Sequence, residues 1–203
     1  MTKLEDDEQF LRSAGEFHDR MRRSDVPIIA CVHGYCLGAG LTLAASCDLI
    51  IAGEGALFGF PEGRIGLAGA TAVVPILGRQ WAKFLMITGE LLDASLAKSL
   101  GLVLSVERDD DLTARTLDLA VRIARMPREA VLLNRRAIDV SADASGDASA
   151  RLAALAADAL TTHRAVDATA PDGRTFRSII EMEGMGGLKA ARNAQFTEPW
   201  LHD

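Results

Sequence analysis

The chain has 203 residues, 49% hydrophobic and 25% charged, which suits an ordinary globular protein long enough to bury a sizeable core. A net charge of −6 argues against nucleic acid as the main partner, since phosphate binding needs a basic face. The longest apolar runs fall short of the roughly 20 residues that span a bilayer, so no membrane partner is expected.

The N-terminal stretch MTKLEDDEQFL is acidic where a secretory leader is basic and then apolar, which points to the cytoplasm. LEDDEQFLRSAGEFHDRMRR has acids first and bases last, as the helix dipole favours, with Leu11, Phe17 and Met21 as its apolar stripe. After Pro27, PIIACV predicts a short buried strand. GYCLGAGLTLAASCD (34–48) then runs from a strand-like segment through a Gly-Ala-Gly turn into a helix of small residues. DLIIAG and GALFGFPE predict two further strands, so the order strand, helix, strand implies a parallel α/β unit.

Residues 71–88 predict a helix broken or bent near Pro75 to Gly78. In DASLAKSLG, Asp93 is a natural N-cap and Gly101 a natural C′ residue, and LVLSVE is another strand. From Asp109 onward the pattern is helix and turn. Leu112, Leu117, Leu119, Val121 and Ile123 form one apolar stripe, Pro127 is placed for N1, Gly146 marks a break and APDGR a turn. The chain therefore divides into an α/β core over 1–107 and a helical region over 108–203.

Cys31, Cys36 and Cys47 lie in apolar stretches and match no zinc spacing, so they read as buried reduced thiols and no metal site is expected. The Gly-Ala-Gly turn has two readings. Helix-opening amides without internal partners can face a negatively charged oxygen, or the small residues can simply allow close packing. It matches neither GxGxxG nor a P-loop. In FGFPEGRIG (58–66), Glu62 on a Pro61-anchored turn among apolar residues is either an acid–base carboxyl with a raised pKa or a surface acid paired with Arg64. Asp48 is placed to cap or orient structure beside the helix end, and His33 reads as structural.

Together these motifs carry a resemblance. PIIACVHGYCLGAGLTLAASCDLIIAGEGALFGFPEGRIGL resembles the heart of the crotonase superfamily, also called the enoyl-CoA hydratase/isomerase family. FLMITGELLDASLAKSLGLV and EGMGGLKAARNAQF are similar to later segments of that family. The resemblance implies a crotonase-like (ClpP/crotonase) α/β fold, in this chain a partial spiral ββα core with a C-terminal helical region for oligomerisation and pocket covering. It implies an acyl-CoA thioester as substrate, with no separate cofactor, and enolate chemistry of the hydratase or isomerase type. Ala39 matches a backbone donor to the thioester oxygen, and Glu62 matches the acid–base glutamate. Gly38, Gly40, Tyr35 and Pro61 fall on substrate-binding positions. Thr42 stands where hydratases of the family carry their other glutamate, which leaves one carboxylate for proton transfer.

The resemblance also implies that the family's early strands, its second oxyanion amide and much of its coenzyme A surface have no counterpart in this sequence. Either a further chain supplies that half, within a homo- or hetero-oligomer of trimer or hexamer type, or the chain is a diverged, truncated relative; the first is the expectation. In function, the alternative is a non-catalytic structural or regulatory subunit of a crotonase complex.

Overall fold

A computed structural model describes residues 3–68, 72–164 and 168–201, with residues 3–8, 10–12 and 162–164 described by backbone alone. The Leu11 part of the expected stripe on α1 (Lys3–Arg22) therefore lies outside the described side chains. Of its other members, Phe17 is exposed and Met21 half-buried.

The strands form two small sheets rather than one. β1 (Ile29–Val32), β3 (Leu49–Gly53) and β6 (Ser105–Glu107) make a parallel sheet in the order β1-β3-β6. β2 (Tyr35–Leu37), β4 (Leu57–Gly59) and β5 (Leu91–Asp93) make the other in the order β2-β4-β5, with β4 and β5 antiparallel. Each of the first two passes lays one strand in each sheet and then a helical segment. β1 and β2 lead to α2 (Ala39–Ala45); β3 and β4 lead to a 3-10 turn (Pro61–Ile65) and α3 (Val74–Thr88). The chain thus spirals, returning through β5 and α4 (Ala94–Ser99) to β6.

The continuous apolar run of β3 suits its central place, because a strand covered on both faces has no use for alternation. Leu41 of α2, Phe58 of β4, Leu85 of α3 and Leu92 of β5 are fully buried and pack in one cluster with Ile50 and Ala52 of β3. Local signals placed α4 well. The Asp93 carboxylate accepts the Leu96 N–H at 2.7 Å. Beyond Leu100, Gly101 takes φ +83°, and Leu102 N–H reaches Ala97 O at 2.9 Å while Gly101 N–H reaches Lys98 O at 3.0 Å. That is a Schellman ending. Within α3 the break falls at Gly78, whose φ of +71° lies outside the helical range.

Four helical segments follow: α5 (Leu112–Ala124), α6 (Arg128–Ala144), α7 (Asp147–Arg164) and α8 (Phe176–Asn193). Gly146, at φ +99°, separates α6 from α7, and the APDGR turn brings Thr169 and Thr175 into an isolated bridge. Several expectations shift. Pro127 is the N-cap of α6, one residue before N1. Only Ser105–Glu107 of LVLSVE pairs as strand, because the Schellman ending consumes Leu102 and Val103. On α5, Leu112 is buried and Leu119 and Ile123 are half-buried against the first sheet, but Leu117 is 60% and Val121 49% exposed. Cys36 alone of the three thiols is buried; Cys31 is exposed and Cys47 half-buried. Cys36 belongs to the core cluster and Cys31 does not.

Asp48 orients structure, as a group beside the helix end can. Its Oδ2 accepts the Ile28 N–H at 2.6 Å, and its Oδ1 accepts Arg135 Nε of α6 at 2.5 Å. Arg135 also donates to the carbonyls of Ser24 and Arg22, clamping α6 to the chain just ahead of β1. Among the described residues no helix is long and apolar enough to cross a membrane.

Candidate active site

Parallel strands β2 and β4 end side by side. Leu37 and Gly59 are register partners, and Gly38 N–H donates to Gly59 O at 2.9 Å. The next residues on each strand must therefore meet: α2 starts at Ala39 and the 3-10 turn at Pro61. The carboxyl ends of adjacent parallel strands are where α/β folds place their ligands.

Gly38 lies at φ +54°, ψ −117°, and a Cβ built there would fall 1.5 Å from Glu62 Oε1 and 2.4 Å from its Cδ. No side chain fits. The glycine at 38 is needed by the carboxyl of Glu62 as much as by the backbone. Gly40 is different, for a Cβ there would meet nothing within 4 Å. The space beside it is open among the described residues, so packing among them does not account for that glycine. Ala39, between them, is exposed, and no side chain caps this helix end.

Glu62 is half-buried, and its Oε2 is shielded from solvent with no hydrogen-bond partner among the described residues. Burial raises its pKa above the ordinary carboxylate value. A backbone N–H of its own turn and the charge of Arg192 on α8 oppose that rise, and Asp158 on α7 adds to it. Glu62 is not the surface partner of Arg64, which pairs with Glu90 at 3.2 Å. Pro61 is buried at the start of the same turn.

Thr42 donates its hydroxyl to Gly38 O at 3.2 Å, the carbonyl that its own N–H also reaches at 2.9 Å. Its hydroxyl is thus turned onto its own helix. Tyr35, at the start of β2, is 74% exposed and stands apart from the turn on a sheet edge. His33 is exposed. Gly38, Ala39, Thr42, Pro61 and Glu62 are brought together; Tyr35 is not.

Sequence reasoning missed the residues that surround Glu62. Arg192 and Asp158 come from distant helices, and Arg192 also lines a cleft of ≈260 Å³ with Arg64, Pro171, Phe176 and Phe196. Glu90, buried at 6% exposure, follows Gly89 where an acidic residue reads as part of a surface turn. Among the described residues no three His, Cys, Asp or Glu side chains are grouped to hold a metal ion.

The sequence profile of the enoyl-CoA hydratase/isomerase family matches residues 1–175. A probable enoyl-CoA hydratase of Mycobacterium leprae is 33% identical over 175 residues, covering 84% of this chain and 62% of its own. A mevalonyl-coenzyme A hydratase of Aspergillus fumigatus is 39% identical over 114 residues, 54% of this chain and 42% of its own. The chain thus spans about two-fifths to three-fifths of these relatives' length. In three dimensions, the crystal structure of an enoyl-CoA hydratase from Mycobacterium smegmatis superposes with a TM-score of 0.85 at 25% identity, over 97% of this chain and 66% of that one. An enoyl-CoA hydratase/isomerase from Xanthobacter autotrophicus Py2 gives 0.81 at 30% identity, over 94% and 70%. The two-sheet spiral with its helical extension is a crotonase fold, and the chain belongs to the enoyl-CoA hydratase/isomerase family of the crotonase superfamily.

Proposed function

We propose that the protein is an enzyme acting on an acyl-CoA thioester through an enolate, with Glu62 as the acid–base group. The observation that carries this reading is the contact of the Glu62 carboxyl with Gly38, the residue that opens the Gly-Ala-Gly turn. A thioester oxygen hydrogen-bonded to Ala39 N–H would lie beside that carboxyl. Glu62 takes a proton from the carbon chain as negative charge moves to the thioester oxygen, where the amide stabilises it. Returning the proton to another carbon moves a double bond; adding water across the bond is hydration. A raised pKa suits a carboxyl that must both accept and return a proton near neutrality.

Open space beside Gly40 supports substrate approach along the backbone, and buried Pro61 holds the turn that carries Glu62. Thr42 brings no second carboxylate, and its hydroxyl is already donated to Gly38 O, which favours single-base proton transfer over two-glutamate water addition. Coenzyme A is part of the substrate, and the reaction needs no resident cofactor. The second oxyanion donor comes from outside the described residues, together with strands that extend the sheets past β1 and β2. In a homo- or hetero-oligomer, residues 108–203 make subunit contacts, and Arg192 borders the pocket.

The inward-turned Thr42 hydroxyl favours a second reading, a non-catalytic subunit that stabilises a complete crotonase. Loss of the conjugated thioester of crotonyl-CoA, followed with the chain alone and with the proteins that co-purify with it, separates the two. On the enzyme reading Glu62→Gln lowers turnover by about 10²–10⁴-fold in whichever sample is active. Turnover that ignores Glu62→Gln assigns the chain the subunit role.

A further inference from the structure

Glu62 rides on a five-residue turn, and its neighbour Arg64 ties that turn to two other parts of the chain. Arg64 Nε donates to Thr88 O at 3.0 Å, at the C-terminal end of α3, and its terminal nitrogen lies 3.2 Å from Glu90 Oε1. The stem of Arg64 lies against Gly89, where a Cβ would fall 2.7 Å from Nε. Both charged side chains are about nine-tenths buried, at 10% and 8% exposure. A pair so enclosed holds one geometry, because breaking either partner strands the other charge.

The far side of this pair is closed by the segment after α8. The Arg64 guanidinium lies 3.8 Å from the centroid of the Phe196 ring. Trp200 N–H donates to Glu90 Oε2 at 3.0 Å, and the Trp200 ring lies 5.5 Å from that of Phe84 on α3. Both oxygens of Glu90 are therefore committed, one to the turn that carries Glu62 and one to the C-terminal segment. On the turn's other side, a Cβ at Gly63 would fall 2.7 Å from Met86 O, so its backbone rests directly on α3.

We propose that Arg64 and Glu90 are positioning residues for Glu62, and that the segment 196–201 acts through them to hold the carboxyl against Gly38. The proposal rests on the reading of Glu62 as the acid–base group. The segment reaches the site through charge pairing and stacking without touching substrate. Glu62 is also faced from other elements by Arg192 of α8 and Asp158 of α7, and both residues are kept in every variant.

The test titrates Glu62 directly, by carbon NMR of the carboxyl-labelled protein with Glu62→Gln as the assignment control, alongside crotonyl-CoA kinetics. The variants are Arg64→Lys, the charge-free double Arg64→Met with Glu90→Gln, and Trp200→Pro, which removes the donor to Glu90. Trp200→Ala keeps that donor and loses only the ring. The double variant leaves no buried charge unpaired and keeps the experiment interpretable should Arg64→Lys fail to fold. The Glu62 pKa falls toward the ordinary carboxylate value in the first three variants, and the acidic limb of the kcat profile moves with it. Turnover falls about tenfold with KM within about twofold, as a misplaced group gives. Trp200→Ala shifts the pKa less than Trp200→Pro. Folded variants with an unmoved Glu62 titration overturn the positioning role. Wild-type turnover that survives Glu62→Gln overturns the functional reading instead, a result the titration does not share.

Discussion

Between Cys36 and Val103 the apolar side chains face one another across the two sheets and the helices beside them, whereas α6 has no buried residue at all. Leu133, Ile138 and Val140 on that helix are 62%, 69% and 68% exposed. α6 is held instead by polar attachment, with Arg135 bonded to Asp48 and to two carbonyls ahead of β1. The Gly38–Glu62 contact sits wholly on the self-packed part, since both residues extend from strands of one sheet. The contrast locates rigidity. A site that needs a carboxyl fixed against a turn is carried by the region whose packing is internal, while the helical region adds the surrounding charges of Arg192 and Asp158 and the 196–201 segment behind Arg64 and Glu90.

Substitutions can sharpen or break that contrast. Phe58→Ala removes a fully buried ring between the sheets and costs about 3–5 kcal/mol in urea unfolding. A cost near that of a surface change would mean the two regions do not differ. Glu62→Gln has a smaller effect and the opposite sign at neutral pH. The native pKa is raised, so protonation favours folding. That stability is complete below the unfolded-state value of about 4.3 and is lost as pH rises through the native value. Glutamine carries no charge to bury, so the variant melts higher than wild type at pH 7.5, and the gap closes below about pH 4. A gap independent of pH would rule out the buried carboxylate charge as its cause. Smallest is Ile138→Ser on α6, which changes stability by less than about 0.5 kcal/mol. A larger loss would show that this face is covered in solution.

Local chemistry made parts of this architecture readable. Asp93 and Gly101 bracket α4 because a cap and a left-handed C′ residue act within a few positions, and Gly78 marks its break for the same reason. β5 escaped notice because three residues are too few to show a period. The burial of Cys36 and the exposure of Cys31 depend on which strand face the core cluster covers, which no short window contains. The juxtaposition of Gly38 and Glu62 entered through family resemblance, since residues 24 apart meet only when β2 and β4 pair. The Arg64–Glu90 pair had no signal at all, for a buried acid in a turn looks like any exposed one until its partner is known.

The spiral has two unlike ends. All four terminal strands leave an outer edge unpaired among the described residues, but at the later end β5 runs antiparallel to its neighbour, while β1 and β2 end the earlier one as parallel strands. Parallel edges on both sheets at the same end give the thread a direction of growth. Further ββα turns could be threaded on ahead of β1 and β2 without disturbing the Leu37–Gly59 register. The Gly38–Glu62 contact hangs from that register, so the working corner is insulated from how many turns precede it.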